Sequence, residues 1–283
     1  LPCRSFQYVH DNIIAAGGEI DVLDPAGYGA ITITKALSIV NDGVGTAGVQ
    51  QGTAGQNAIT INAGTSDAVT LRGLNIDGLG TGQNGIVFNT GGSLTVVNCV
   101  IRHFAYDGSE HTGDSILIQP TSGSMKFVVS NTIASDNGFE GIAYYPLSGA
   151  ANAQGAIDHV VAANNQYSGI DLNTSSAGGG VVSVTISNSI ASNNSGSGIH
   201  THSGSGTLTA TVDSSDMNNN SFGIYAIGSA IVLLNRSVFT SNVEGVYNGT
   251  SPNRVYTYGN NLINYNTSAD VEGTALNTSF KPL

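Results

Sequence analysis

Glycine followed by an apolar residue returns along this chain as Gly85-Ile86, Gly141-Ile142, Gly169-Ile170, Gly198-Ile199, Gly223-Ile224 and Gly245-Val246. With Gly113 of "TGDSILI" in the open place, the steps are 28, 28, 28, 29, 25 and 22 residues. A second column keeps the same period in "SNTIASDN" (130–137), "IDHVVAANN" (157–165), "SNSIASNN" (187–194) and "GNNLINYN" (259–266). Each has an Asn or Asp, an apolar residue two later and an Asn four after that. A fixed period of roughly 20–50 residues marks stacked repeats. Between the columns "VSVTIS", "LTATVD" and "MKFVVS" alternate with period two, as half-buried strands do. Residues 30–270 hold no helical pattern. Parallel strands ordinarily need long crossovers, but a coil of three short strands per turn supplies them by laying each turn on the last. The expectation is an all-β chain in which 1–283 form a single parallel β-helix domain with rungs over 19–273. About nine rungs at ~4.8 Å each make a cylinder about 40 Å tall. Buried Ile and Val form ladders, Asn amides stack at the bends, and Gly takes corners where a side chain or an ordinary φ is awkward.

An open rung exposes an unpaired edge, so the ends need covers. "SFQYVHDNIIAAGG" suits a capping helix over 5–16, with Ser5 as N-cap and Phe6, Val9 and Ile13 on one face. Gly17-Gly18 then stop it before "EIDVL". Residues 274–283 have no such pattern and read as a tail across the last rung.

Composition narrows the partners. The chain is 40% hydrophobic and 10% charged, the reverse of a disordered sequence. No apolar run approaches the roughly 18 residues of a membrane span. A formal net charge of −11, from 8 Lys+Arg against 19 Asp+Glu, repels phosphate backbones and excludes nucleic acid. The same field disfavours polyanionic sugars unless a cation or basic patch intervenes. Cys3 and Cys99 make no disulfide framework, and about three rungs separate them, beyond bonding reach. The start at Leu1, with neither Met nor a signal-like segment, reads as a processed product.

The segment "PCRSFQYVHDNIIAAGGEIDVLDPAGYGAITITKALSIV" (2–40) and the two columns resemble right-handed parallel β-helix proteins of the pectate-lyase-like superfamily. Within it the likeness is to bacterial exported β-helix repeat proteins. The resemblance implies a right-handed coil, a secreted or cell-surface location, a monomer and a polysaccharide or glycan ligand. That superfamily is rich in polysaccharide lyases, glycosidases, esterases and epimerases. The "NTD", "DD", "GHG" and "RIK" blocks of its polygalacturonase-like hydrolases do not occur here. Nor does an Asp cluster with a neighbouring Arg, as in the Ca²⁺-dependent lyases. Fold likeness alone licenses no activity.

If the residue after each column glycine points inward, the next points outward. That places Ala143 and Tyr145, Asp171 and Asn173, His200 and His202, Tyr225 and Ile227, and Tyr247 on one outer face. Asp171 then stacks about 4.8 Å from His200. Here Asp171 orients His200 as general base while Tyr145 donates a proton, and His202, Asn173, Tyr225 and Tyr247 bind substrate. An assorted solvated face explains the same residues, and His200-x-His202 with Asp171 is a weak metal reading that lacks a fourth ligand. "RHFAYDGSEHTGD" (102–114) is the most charged segment. Its Arg102, His103, Asp107, Glu110, His111 and Asp114 form either a solvated loop or a loop-borne substrate or cation site; Arg102, His103 and His111 are its binding candidates. Glu140 and Glu244 read as surface corners, too far apart for the two-carboxylate pair of hydrolysis, which needs about 5–9.5 Å. "GTGQNG" (80–85) leads into a strand, so it is a turn rather than a dinucleotide loop. The function expected is an extracellular carbohydrate-interacting protein, a polysaccharide lyase or epimerase working by His/Tyr proton transfer. A non-catalytic sugar-binding or adhesive module and a structural surface protein are the alternatives. No cofactor is required, and Ca²⁺ is the cation such a site would admit.

Overall fold

The computed structural model describes residues 3–121, 123–147, 152–176 and 179–279. Its strands form three parallel sheets of ten strands each. Every third strand in sequence joins the same sheet, so the chain coils and each sheet advances by nine stacking steps. One right-handed parallel β-helix results, the coil the repeat predicts with the hand the resemblance implies.

Side chains that point inward form columns down the bore. In the third sheet Ile86, Ile116, Ile142, Ile170, Ile199, Ile224 and Val246 lie in register, all fully buried. β-Branched side chains suit this pleated, closely stacked surface. Not every apolar column points inward. Ile133 and Ile190 of the second sheet are 41% and 40% exposed, so that aliphatic column faces outward.

The asparagine column is a hydrogen-bonded ladder. Nδ2 of Asn137 donates to Oδ1 of Asn165, and the pattern continues through Asn194, Asn220, Asn242 and Asn266 at 2.9–3.1 Å. The backbone N–H of each also donates to the oxygen of the next rung. A buried bend thus satisfies polar groups that the sheets cannot reach.

Of the two causes the sequence offers for the glycine column, the awkward side chain holds and the awkward φ does not. None of Gly141, Gly169, Gly198, Gly223 or Gly245 has positive φ. A Cβ on Gly223 would lie 2.4 Å from the carbonyl oxygen of Gly245 in the next rung, and one on Gly141 would lie 2.5 Å from that of Gly169. Close rung-to-rung approach requires the glycines. The left-handed corners fall instead on residues such as Asn131, Asn164, Asn188 and Asn193, with φ of 47–58°, which Asn tolerates better than most side chains.

A second correction concerns register. Ile116 pairs with both Ile86 and Ile142, so Ser115, not Gly113, fills the glycine place in its rung. Its hydroxyl accepts from Asn137 Nδ2 at 2.6 Å, so Ser115 continues the ladder. Asp114 therefore precedes the strand at the level of Glu140.

The cap is shorter than 5–16. Helix Phe6–Asn12 starts at Ser5, whose hydroxyl accepts the Tyr8 N–H. Lys35 Nζ donates to the His10 and Ile14 carbonyls, ending the helix where they would otherwise be unpaired. Phe6 and His10 are buried and Val9 packs on the core, whereas Ile13 is 60% exposed and lies off that face. At the other end Leu276 packs on the core and Asn277 pairs with Val255 and Thr257; residues 280–283 lie outside the described ones. No disulfide joins Cys3 to Cys99. Among the described residues no helix is long and apolar enough to cross a membrane.

Candidate functional site

The outer face of the third sheet carries the site. In register down it run Val87, Leu117, Ala143, Asp171, His200, Tyr225, Tyr247 and Glu272. The sheet's alternation therefore places Asp171 beside His200 and Tyr225 as the sequence suggests. The first three residues are not open to solvent. Val87, Leu117 and Ala143 are buried, and Tyr145 packs against them. The Tyr145 ring lies 4.1 Å from that of His111, and its hydroxyl is 2.6 Å from Ser176 Oγ.

At the edge of this cover, His200 Nδ1 sits 2.8 Å from Asp171 Oδ1. The ring N–H is not aimed at that oxygen, so the contact is Coulombic, and both Asp171 Oδ1 and His200 Nε2 carry no hydrogen bond. Asp171 is buried, while the His200 side chain keeps 13% of its surface exposed. His200 opens onto a cleft of about 470 Å³ lined by Tyr167, Phe222, Tyr225, Ile227 and the small residues Ser195 and Gly196. Tyr225 lies 5.5 Å from His200, 4.8 Å from Phe222 and 4.7 Å from Tyr247, ring centre to ring centre. Burial pushes the Tyr225 hydroxyl up, helped by Tyr247 and Glu244. His202, 6.2 Å from His200, is held below the usual histidine range by burial and by the neighbouring His200 charge.

Behind Asp171 lies a group the sequence did not assemble. Glu140, read as a surface corner, is 1% exposed. Its backbone N–H donates to Asp114 Oδ1 at 2.9 Å, and its side chain contacts Asp171. His111 Nδ1 is 3.7 Å from both Asp114 Oδ2 and Glu140 Oε2. Burial raises the Glu140 carboxyl well above the carboxylate range, and Asp171 and Asp114 add to it. Burial also raises Asp114, against the pull of His111. For His111 burial works downward, but Asp114 and the other acids outweigh it and the net shift is up. Aligning the rungs on isoleucine rather than on glycine would have shown Asp114 and Glu140 as neighbours.

The expected site thus divides. Asp171, His200, His202, Tyr225 and Tyr247 share one face, with Tyr225 the tyrosine beside His200. Tyr145 is instead two strands away, against His111. The Asn173 side-chain oxygen accepts from the Ser175 N–H and hydroxyl, which occupies it in a turn. The segment 102–114 does not act as one unit. Arg102 belongs to the second sheet, where it and His103 engage Asp77 at 3.3 and 3.2 Å. Asp107 is tied to Thr112 and Ser109 within its loop. Glu244 lies four strands from Glu140, as the spacing requires.

The sequence profile of the family described as "Right handed beta helix region" matches residues 53–229. Comparison with the curated proteins and with the solved structures gives no significant match.

Proposed function

The chain belongs to the right-handed β-helix family, and we propose that it binds a polysaccharide along the cleft beside His200 and acts on it by proton transfer. Sugar chemistry is suggested by the fold, which is consistent with carbohydrate-active proteins. One observation carries the rest: His200 both abuts a buried carboxylate and opens onto a cleft walled by aromatic rings. Asp171 stabilises the imidazolium that forms when His200 takes a proton, and Phe222 and Tyr225 offer flat faces to a sugar ring.

The carboxylates do not favour hydrolysis, although the structure brings three of them together. Asp114 and Glu140 are sealed behind Asp171 at 0% and 1% exposure, so they do not flank a bond in the cleft as an acid and a nucleophile must. The acid–base side chains lining the cleft are His200, Tyr167 and Tyr225, and a histidine with tyrosines suits abstraction of the proton next to a uronate carboxyl. β-Elimination or epimerisation is therefore the proposed chemistry. Arg102 is committed to Asp77 on another sheet, so a cation accompanying the polymer would neutralise the uronate.

A polysaccharide panel incubated with the wild type and with His200→Gln tests this, scoring unsaturated products, altered epimer content, reducing ends and binding. Turnover of a uronate polymer that His200→Gln abolishes while binding persists supports the proposal. Equal turnover in the variant refutes the role of His200. Binding without products from either protein points to an adhesive module, which the Phe222–Tyr225–Tyr247 aromatic cluster would serve.

A further inference from the structure

Three carboxylates converge behind the cleft with no lysine or arginine to hold them. Asp114, Glu140 and Asp171 are 0%, 1% and 2% exposed. Removing a carboxylate from water costs several kcal/mol unless it is compensated. Among the described residues, the ion pairs reaching these three come from His111 and His200. Asp114 Oδ2, Glu140 Oε2 and His111 Nδ1 are closed off from solvent and carry no hydrogen bond. Three such atoms facing one another call for something that accepts lone pairs from all of them.

Their geometry suits a metal ion. One ligand atom from each of His111, Asp114 and Glu140 lies within 4.8 Å of the others, and the nitrogen is 3.7 Å from each oxygen. A tetrahedral centre with bonds of about 2.1 Å holds its ligands about 3.4 Å apart. The contraction required along those nitrogen–oxygen distances is therefore a few tenths of an ångström. The remaining atoms are already fixed by a second layer of contacts, as metal ligands usually are. Asp114 Oδ1 accepts the Glu140 N–H, and the Asp114 N–H donates to Asn84 Oδ1, both at 2.9 Å. Asn84 Nδ2 holds the His111 carbonyl at 3.1 Å, and Tyr145 and Phe139 flank the imidazole.

We propose that His111, Asp114 and Glu140 bind one divalent transition-metal ion of the Zn²⁺ or Mn²⁺ kind, with Asp171 as the adjoining third carboxylate. An imidazole nitrogen with a small carboxylate set fits such ions, whereas Ca²⁺ takes about 6–8 oxygens. Asp171, in contact with Glu140 on one side and His200 on the other, links the ion to the cleft. This site does not depend on the identity of any sugar.

The test is calorimetric titration of chelator-treated protein with Zn²⁺, Mn²⁺ and Ca²⁺ separately, with melting curves for each. One equivalent of Zn²⁺ or Mn²⁺ should bind and raise the melting temperature, with Ca²⁺ at the same concentration ineffective. Asp114→Asn and His111→Ala should weaken binding ~100-fold or more, at or beyond the loss expected for an outer-layer partner. Glu140→Gln removes a crowded buried acid, so without metal it should melt above the wild type yet gain nothing from metal. That opposite pair of effects separates a lost site from a misfolded variant. Absence of one-equivalent binding to the wild type, undiminished binding in Asp114→Asn and Glu140→Gln, or a preference for Ca²⁺ overturns the proposal.

Discussion

Asn194→Ala removes one link of the asparagine ladder. Asn194 is 2% exposed. Its Oδ1 accepts the Asn165 N–H and Nδ2, both at 3.0 Å, and its Nδ2 donates to Ala162 O and Asn220 Oδ1, both at 3.1 Å. Truncation thus deletes four hydrogen bonds and strips partners from two buried donors on Asn165. A net worth of about 1 kcal/mol per bond gives a loss of about 4 kcal/mol, and bare donors at about 1–3 kcal/mol each would enlarge it. Asn194→Asp keeps the shape but turns the donating edge into an acceptor that faces two further acceptors, so it should lose at least as much. That variant separates hydrogen bonding from the cavity left by alanine. Guanidinium unfolding followed by circular dichroism reads the change, provided the denaturant slope is unaltered. If Asn194→Ala loses under about 1 kcal/mol and Asn194→Asp no more, the ladder does not hold the rungs together.

Gly223→Ala should destabilise the protein by about 1–3 kcal/mol in thermal unfolding, because its Cβ would lie 2.4 Å from a backbone oxygen; Gly27→Ala, with its nearest neighbour at 3.4 Å, should be near neutral. Asp158 is lowered from 3.8 to about 2, first by the Ser187 hydroxyl and then by Asn188 and His159. Its stabilisation is present above pH 3.8 and lost as pH falls through about 2, so Asp158→Asn should flatten the acid limb of the stability–pH curve. The Cys99 thiol, 1% exposed and pushed up to about 11 by burial, should escape iodoacetamide in native protein and react after unfolding, as peptide mapping by mass spectrometry would show.

The architecture was legible because the coil writes its period into the sequence. Stacked rungs must place like residues over like, so the Gly-Ile and Asn columns announce both the sheets and the ladder. The face bearing Asp171, His200 and Tyr225 followed from alternation within short strands, where counting by twos suffices. The buried acids did not follow, because the rung containing Asp114 carries a longer loop and a serine in the glycine place. Counting from Gly113 shifted that rung by two residues and separated Asp114 from Glu140. The partner of His103 is set by local backbone geometry. The histidine occupies a left-handed corner with φ of 61°, and that corner turns it towards Asp77 on the second sheet. The short cap was illegible because a contact between residues far apart in sequence, Lys35 on the His10 and Ile14 carbonyls, sets its end.

The most direct test of the carbohydrate cleft is the affinity of the best-binding polysaccharide fragment for the wild type and for Phe222→Ala/Tyr225→Ala, measured by titration calorimetry. Both rings line the cleft and pack on each other at 4.8 Å. At about 1–2 kcal/mol for each ring against a sugar face, the double variant should bind at least about 30-fold more weakly with its helical coil intact by circular dichroism. Equal affinity in the two proteins would place the sugar elsewhere and contradict the account.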